Sequence, residues 1–257
     1  MPLYLNVYAL PKFADPDALA GGTAVVIDVL RASTAIIYAL QAGAKTVIPC
    51  GEIEEALRIA AGFSPDEKIL GGERGGLPIE GFDLGNSPEE YTPERVRGKT
   101  VVFTTTNGTR ALLHVTRARQ IVLGAFVNAT AVVQHIFGQE EVHLLCAGTD
   151  GQPTDEDSML AGMLAEKLQR RGGGQYKLND QAIAACELWR HTLEIIQAPT
   201  TEPPEPEPLA KILRHSLGGK NLVSLGLDRD ILAAARIDRF AIVPKFDPET
   251  SCVQVVK

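Results

Sequence analysis

Asp28 follows directly on the apolar run Val25-Val26-Ile27, where a charge is costly unless it is paired or bound to a metal ion. Arg31, Ser33 and Thr34 come next. A second apolar run, Val101-Val102-Phe103, opens into Thr104, Thr105, Thr106, Asn107, Gly108, Thr109 and Arg110. A third, Val142–Ala147, contains Cys146 and leads into Gly148-Thr149-Asp150 and the acidic run Asp155-Glu156-Asp157. A glycine-rich stretch, 71–88, adds Glu73, Arg74, Asp83 and Asn86. Hydroxyls, an amide and free backbone N–H groups at the start of a helix suit an anion, phosphate above all. Carboxylates on separate loops are hard oxygen donors of the kind Mg²⁺ takes one or two at a time beside substrate phosphate. Arg31, Arg74 and Arg110 could hold an anionic head group bidentately. The plainer reading is capped turns, with acids in a first helical turn that stabilise it against the helix dipole.

Each of these runs must be positioned by a strand and a helix. A short continuous apolar run reads as a buried strand of a parallel sheet, and Ser, Thr, Asn or Gly after it starts a helix. With an offset of 76, Val25-Val26-Ile27 falls on Val101-Val102-Phe103, Asp28 on Thr104 and Ser33 on Thr109. After a one-residue gap, Thr46–Pro49 matches Ile121–Gly124. Two similar βαβ halves result, although chance likeness among apolar βα units would look the same. Strands alternating with helices predict an α/β fold with a mainly parallel sheet, mixed order being left open, and helices on both faces. Ligands then bind beyond the carboxyl ends of the strands, where all three polar loops fall.

Elsewhere the pattern predicts a strand at Leu3–Ala9, a helix over 179–196 capped by Asn179, and helices at Leu209–Leu217, near Asn221–Leu225 and at Asp228–Ala235. A last strand is expected at Phe240–Pro244. The glycines and prolines of 71–88 argue against regular structure there, and long ordered loops tend to carry function. The Pro/Glu-rich tract 198–208 reads as an excursion from one domain spanning 1–257.

Several classes are excluded or disfavoured. The formal charge is −7, from 25 basic and 32 acidic residues, which speaks against a nucleic-acid binder. No run approaches the ~20 apolar residues of a membrane span. The N-terminus lacks a signal-peptide pattern, and the four cysteines form no C-x-x-C pair, so a cytoplasmic protein is expected. There is no G-x-x-x-x-G-K-[ST] motif. Cys146 has no arginine behind it as a cysteine phosphatase would need, and Asp28-Val29-Leu30 is not D-x-D. The five histidines show no metal-ligand spacing.

Taken together, the motifs Asp28-Val29-Leu30-Arg31-Ala32-Ser33-Thr34, Gly72-Glu73-Arg74, Gly81–Pro88, Thr105–Thr109 and Cys146–Thr149 resemble the 2-phosphosulfolactate phosphatase family. Glu156-Asp157 and the tail around Gly226 and Asp230-Ile231 fit as well. The resemblance spans nearly the whole chain. It implies a three-layer α/β/α fold and a Mg²⁺-dependent hydrolase that takes phosphate from phosphosulfolactate, a step towards coenzyme M. With it, Asp28, Arg31, Glu73 and Cys146 are the expected catalytic residues, and Asp28, Asp83, Glu156 and Asp157 the expected metal ligands. Arg31, Ser33, Thr34, Arg74, Asn86, Thr105–Thr109 (with Thr106, Asn107 and Gly108), Gly148 and Thr149 are expected at the substrate. Direct attack by water is favoured, with Cys146, Ser33 and Thr106 as the alternative nucleophiles. A phosphatase for another small ester, a non-catalytic anion-binding protein, and a homo-oligomer are left open.

Overall fold

A computed structural model describes residues 2–197 and 205–256. In chain order the first part runs β1 (Leu3–Tyr8), β2 (Thr23–Ile27), α1 (Ala32–Gln41), β3 (Thr46–Cys50), α2 (Ile53–Ala60), β4 (Lys68–Arg74), β5 (Leu77–Pro78) and α3 (Pro93–Val96). The middle runs β6 (Thr100–Thr104), α4 (Gly108–His114), β7 (Gln120–Gly124), α5 (Ala129–Ile136), β8 (Glu141–Cys146), α6 (Asp155–Arg171), β9 (Tyr176–Leu178) and α7 (Asp180–Ile195). The tail holds α8 (Pro206–Leu213), α9 (Leu217–Ser224), α10 (Asp228–Ala234), β10 (Pro244–Asp247) and β11 (Cys252–Val255).

The fold is α/β, with one mixed sheet in the order β5-β4-β6-β3-β11-β10-β7-β2-β8-β1-β9. Its two halves are related by the internal repeat, and they are interlaced. β2 pairs in parallel with β7 and β8, while β6 pairs in parallel with β3 and β4. Each repeat thus gives its second strand to the other's first. The registers correspond: Ile27 lies opposite Gly124, and Phe103 lies opposite Pro49. The β10–β11 hairpin sits between the halves, antiparallel to β7 on one side and to β3 on the other.

Three antiparallel pairings in succession make β2 and β6 run in opposite directions along the sheet. Their carboxyl ends nevertheless meet, since a Cβ placed on Gly108 would lie 2.5 Å from Asp28 Oδ2. Only a strongly twisted and curled sheet brings them together. α1 and α4 fill the concave side: Ala32, Ala35, Ile36, Ala111 and Leu112 share one apolar cluster with Val26, Leu145, Val101 and Phe103. Because α1 is covered all round, its residues Ala32–Leu40 are all buried, including Ser33 and Thr34. On the opposite face α5, α6, α7, α8 and α10 pack on β1, β2, β7 and β8, while α2 covers β4 and β6. Helix layers on both faces of the sheet give the three-layer arrangement.

Some local expectations change. Gly71 and Gly72 are not in an irregular loop; they lie inside β4. Gly72 has φ +134°, and a Cβ there would stand 1.9 Å from Thr104 O, so the glycine is what lets β4 close on β6. The tract 198–208 is described only from Glu205, and Pro206–Pro208 form the first turn of α8, where proline's missing N–H costs nothing. The strand expected at Phe240–Pro244 starts instead at Pro244. Phe240 is occupied by an edge-on contact with Tyr38, and its N–H donates to Val127 O. Asn179 caps α7 as expected, accepting from Ala182 N at 2.9 Å.

Candidate active site

The carboxyl ends of β2, β4, β6 and β8 and the helix α9 enclose a cleft of about 230 Å³. Asp28, Arg31, Glu73, Asn86, Thr106, Asn107, Thr149 and Asp150 line it on the sheet side. Gly218, Asn221, Leu222 and Ser224 of α9, with Leu225 just past its end, line it from the other side.

Asp28 starts the turn into α1. Its Oδ1 accepts from Ala32 N at 3.1 Å, its backbone N–H donates to Ser33 Oγ, and its carbonyl accepts from Ser33 N. Oδ2 has no such partner among the described residues and faces Gly108. Burial raises the Asp28 pKa to about 7; the Ala32 N–H opposes this, Glu73 and Glu156 reinforce it, and Arg31 lowers it. Asp28 is therefore a carboxylate that a cation would stabilise.

Glu73 is a clip. Oε1 accepts from Thr106 N at 2.7 Å, and Oε2 accepts from Gly76 N at 2.7 Å and Thr106 Oγ1 at 3.2 Å. It ties the β4–β5 turn to the loop after β6. Asp157 is the equivalent clip in the other half: Oδ1 accepts from Val29 N at 2.9 Å and Oδ2 from Gly148 N at 3.0 Å. Burial, then Asp28, raise its pKa to about 7, against the pull of those N–H groups. Glu156 lies beneath Gly218, 1% exposed, with Oε2 unpartnered. Burial and Asp157 raise its pKa to about 7 as well.

Several expected site residues therefore stand elsewhere. Cys146 is fully buried at the end of β8, and burial with Asp157 and Glu156 pushes its thiol well above the ordinary range, so no thiolate forms at neutral pH. Asp83 is exposed, lines no part of the cleft and accepts from Leu70 N at 2.8 Å. Arg74 spends its guanidinium on Glu73 O, Gly51 O and Thr104 Oγ1. Ser33 Oγ and Thr34 Oγ1 donate to Val26 O and Val29 O beneath the cleft. Thr105 and Thr109 bond to each other across one turn. Gly148 turns the chain at φ +65°. These residues shape the loops rather than face a ligand. Of the neutral donors in the loop after β6, Thr106 N is held by Glu73, which leaves Asn107 and Gly108 N–H without a partner among the described residues.

Among the described residues, no three His, Cys, Asp or Glu side chains converge as a metal-binding group. The set Asp28, Asp83, Glu156 and Asp157 is not assembled, because Asp157 is occupied by backbone N–H groups, Glu156 is covered and Asp83 lines no part of the cleft. Asp28, whose Oδ2 is open, still fits Mg²⁺, which keeps most of its waters and needs only one or two protein carboxylates. The α9 wall and Asp230 had no counterpart among the expected site residues. For α9 the sequence signal was Gly218-Gly219, a mark of close packing, and for Asp230 it was the Asp230-Ile231 tail of the resemblance, which carried no role.

The fold and this cleft define an α/β enzyme that handles a small anion. A sequence pattern described as 2-phosphosulpholactate phosphatase matches residues 8–249. A protein named "Probable 2-phosphosulfolactate phosphatase" from Caldanaerobacter subterraneus subsp. tengcongensis is 38% identical over 244 residues, 95% of each chain. Relatives of the same name from Thermotoga petrophila (40% identical; 86% of this chain, 88% of the relative) and Parasynechococcus marenigrum (38%; 94% of each) are similar along their lengths. The chain belongs to the 2-phosphosulfolactate phosphatase family and is a phosphoric monoester hydrolase.

Proposed function

We propose that the chain hydrolyses the phosphate ester of 2-phospho-3-sulfolactate to sulfolactate and phosphate, as a Mg²⁺-dependent cytoplasmic enzyme in a coenzyme M-type biosynthetic step. One observation carries the metal requirement. The cleft wall sets Asp28, Glu73 and Asp150 against a single arginine, Arg31, so a multiply charged anion would be repelled without a counter-cation. Asp28, with its open Oδ2, is the group that would hold Mg²⁺. Bound there, the ion supplies charge neutralisation at the phosphoryl oxygens and a more acidic water.

The chain's own residues bind and orient the substrate. Arg31 holds one oxyanion through the donors its anchors leave free, and the Asn107 and Gly108 N–H groups face charge that develops on the phosphoryl group. Asn86, buried with Oδ1 unpartnered, and Thr149 add polar contacts to the wall. A cleft of this size suits a three-carbon metabolite. Of the alternative nucleophiles only Thr106 lines the cleft; attack by water is the preferred course, and a phosphorylated protein trapped by acid quench would overturn it.

Phosphate release from a panel of esters, with Mg²⁺ and with EDTA, tests the reading. Release from phosphosulfolactate that EDTA abolishes is expected. Preference for a different ester would overturn the substrate, and no release from any ester with Mg²⁺ would favour a binding protein.

A further inference from the structure

Arg31 is the one basic side chain in the described cleft wall, and it is not free to swing. Nη1 donates to Asp230 Oδ2 at 2.7 Å and lies 3.5 Å from Ser87 Oγ. Nη2 donates to Gly76 O at 2.7 Å. Ser87 Oγ donates to the same Asp230 Oδ2 at 2.8 Å. The Arg31 and Asp230 side chains are 3% and 7% exposed. Asp230 itself lines no part of the cleft.

We propose that Asp230 is a positioning residue, which fixes the Arg31 guanidinium so that its remaining donors meet the oxyanion of the phosphorylated substrate. The proposal rests on the reading that this cleft binds phosphate through Arg31. A guanidinium carries five N–H donors, and three are engaged by Asp230, Ser87 and Gly76. Nε–H and the second Nη2–H are left, a pair able to fork onto one oxyanion. The anchors come from three separate segments: α10, the loop before α3, and the β4–β5 turn. A buried carboxylate beside the only cation of an acid-rich wall weakens the field that attracts an anion. What it adds is orientation, because a buried pair with satisfied hydrogen bonds has one geometry.

The two effects have opposite signs, which makes the proposal testable. Asp230→Asn removes a negative charge near the anion. If charge alone mattered, anion affinity would rise; if position matters, it falls. Inorganic phosphate, the product of any phosphatase reaction, is titrated calorimetrically into the Mg²⁺-loaded protein and its variants. Asp230→Asn is expected to weaken phosphate binding about 10-fold or more and to raise KM for the ester more than it lowers kcat. Asp230→Glu should recover part of the loss. In an Arg31→Ala background the Asp230→Asn change should cost nothing further. Phosphate binding that is unchanged or tighter in Asp230→Asn, or a loss that persists without Arg31, would overturn the proposal. Should Asp230→Asn fail to fold, Ser87→Ala loosens the same anchor and should weaken phosphate about 2- to 3-fold; an unaltered affinity overturns it. A wild-type protein that binds no phosphate would instead defeat the reading of the cleft.

Discussion

The loop after β2 and the loop after β6 are two copies of one device. Each follows a central strand, starts a helix on the concave side of the sheet, and is clipped by a carboxylate that reaches it from another element. Glu73 takes Thr106 N and Gly76 N in one half; Asp157 takes Val29 N and Gly148 N in the other. The difference lies at one matched position. Asp28 stands where the other copy has Thr104. Asp28 keeps an oxygen open to the cleft, while Thr104 Oγ1 donates to Cys50 O at 2.8 Å and accepts from Arg74. The two loops share one scaffold, and of the two matched positions only Asp28 carries a charge with an oxygen left open.

That contrast can be broken at the matched position. Asp28→Asn should lower kcat by about 10³-fold or more with little change in Tm, because it removes a charge that burial already disfavours. Thr104→Val should do the reverse, costing about 1–3 kcal/mol of stability through unpaired buried partners while activity stays within a few-fold. Near-normal turnover in Asp28→Asn would remove it from the site. Equal losses of activity from both changes would show that the two loops are not divided in function.

Closure of β4 on β6 should be the next most sensitive point. Gly72→Ala is expected to cost more than about 3 kcal/mol, since the new Cβ would meet backbone and the positive φ strains any other residue. A variant with normal denaturant midpoint would show that the strand can shift.

The pH dependence sharpens the asymmetry further. Asp28, Glu156 and Asp157 have pKa values raised from 3.8, 4.5 and 3.8 to about 7. The folded protein therefore binds more protons than the unfolded chain between these limits. Their contribution is fully present below about pH 4 and is lost as pH rises through 7. Thermal melts in EDTA should show this decline, and Asp28→Asn should flatten it. A rise in stability over that interval would contradict the buried cluster. The smallest effect is expected from Cys146→Ala, which should keep kcat within about 2-fold and lose only packing, about 1 kcal/mol. Loss of turnover with an intact fold would return the thiol to the chemistry.

Much of this architecture was legible in the chain. The offset of 76 found both strand–loop–helix units, and its one-residue gap agrees with the register of Ile27 against Gly124 and Phe103 against Pro49. Asp28, Arg31, Glu73, Asn86, Thr106, Asn107 and Thr149 were expected at the site and line one cleft. Less legible was the use each side chain makes of its polar atoms. Ser33, Thr34, Thr105 and Arg74 have the right chemistry in the right loops, yet their donors turn inward to backbone oxygens.

Local pattern determines where strands stop and helices start, because apolar runs, caps and glycines act over a few residues. It determined the repeat, the α/β class and the loops that carry the acids. Which strand pairs with which was decided only in three dimensions. Two like βαβ units could each have closed on themselves; packing of α1 and α4 into one concave core and insertion of the β10–β11 hairpin made them exchange strands. The same tertiary closure brings Asp230 to Arg31 across the chain and covers Glu156 with α9. Burial then sets the ionisation of Asp28, since desolvation by everything packed around it, with Glu73 and Glu156, outweighs the Ala32 N–H and Arg31 that its own sequence supplies.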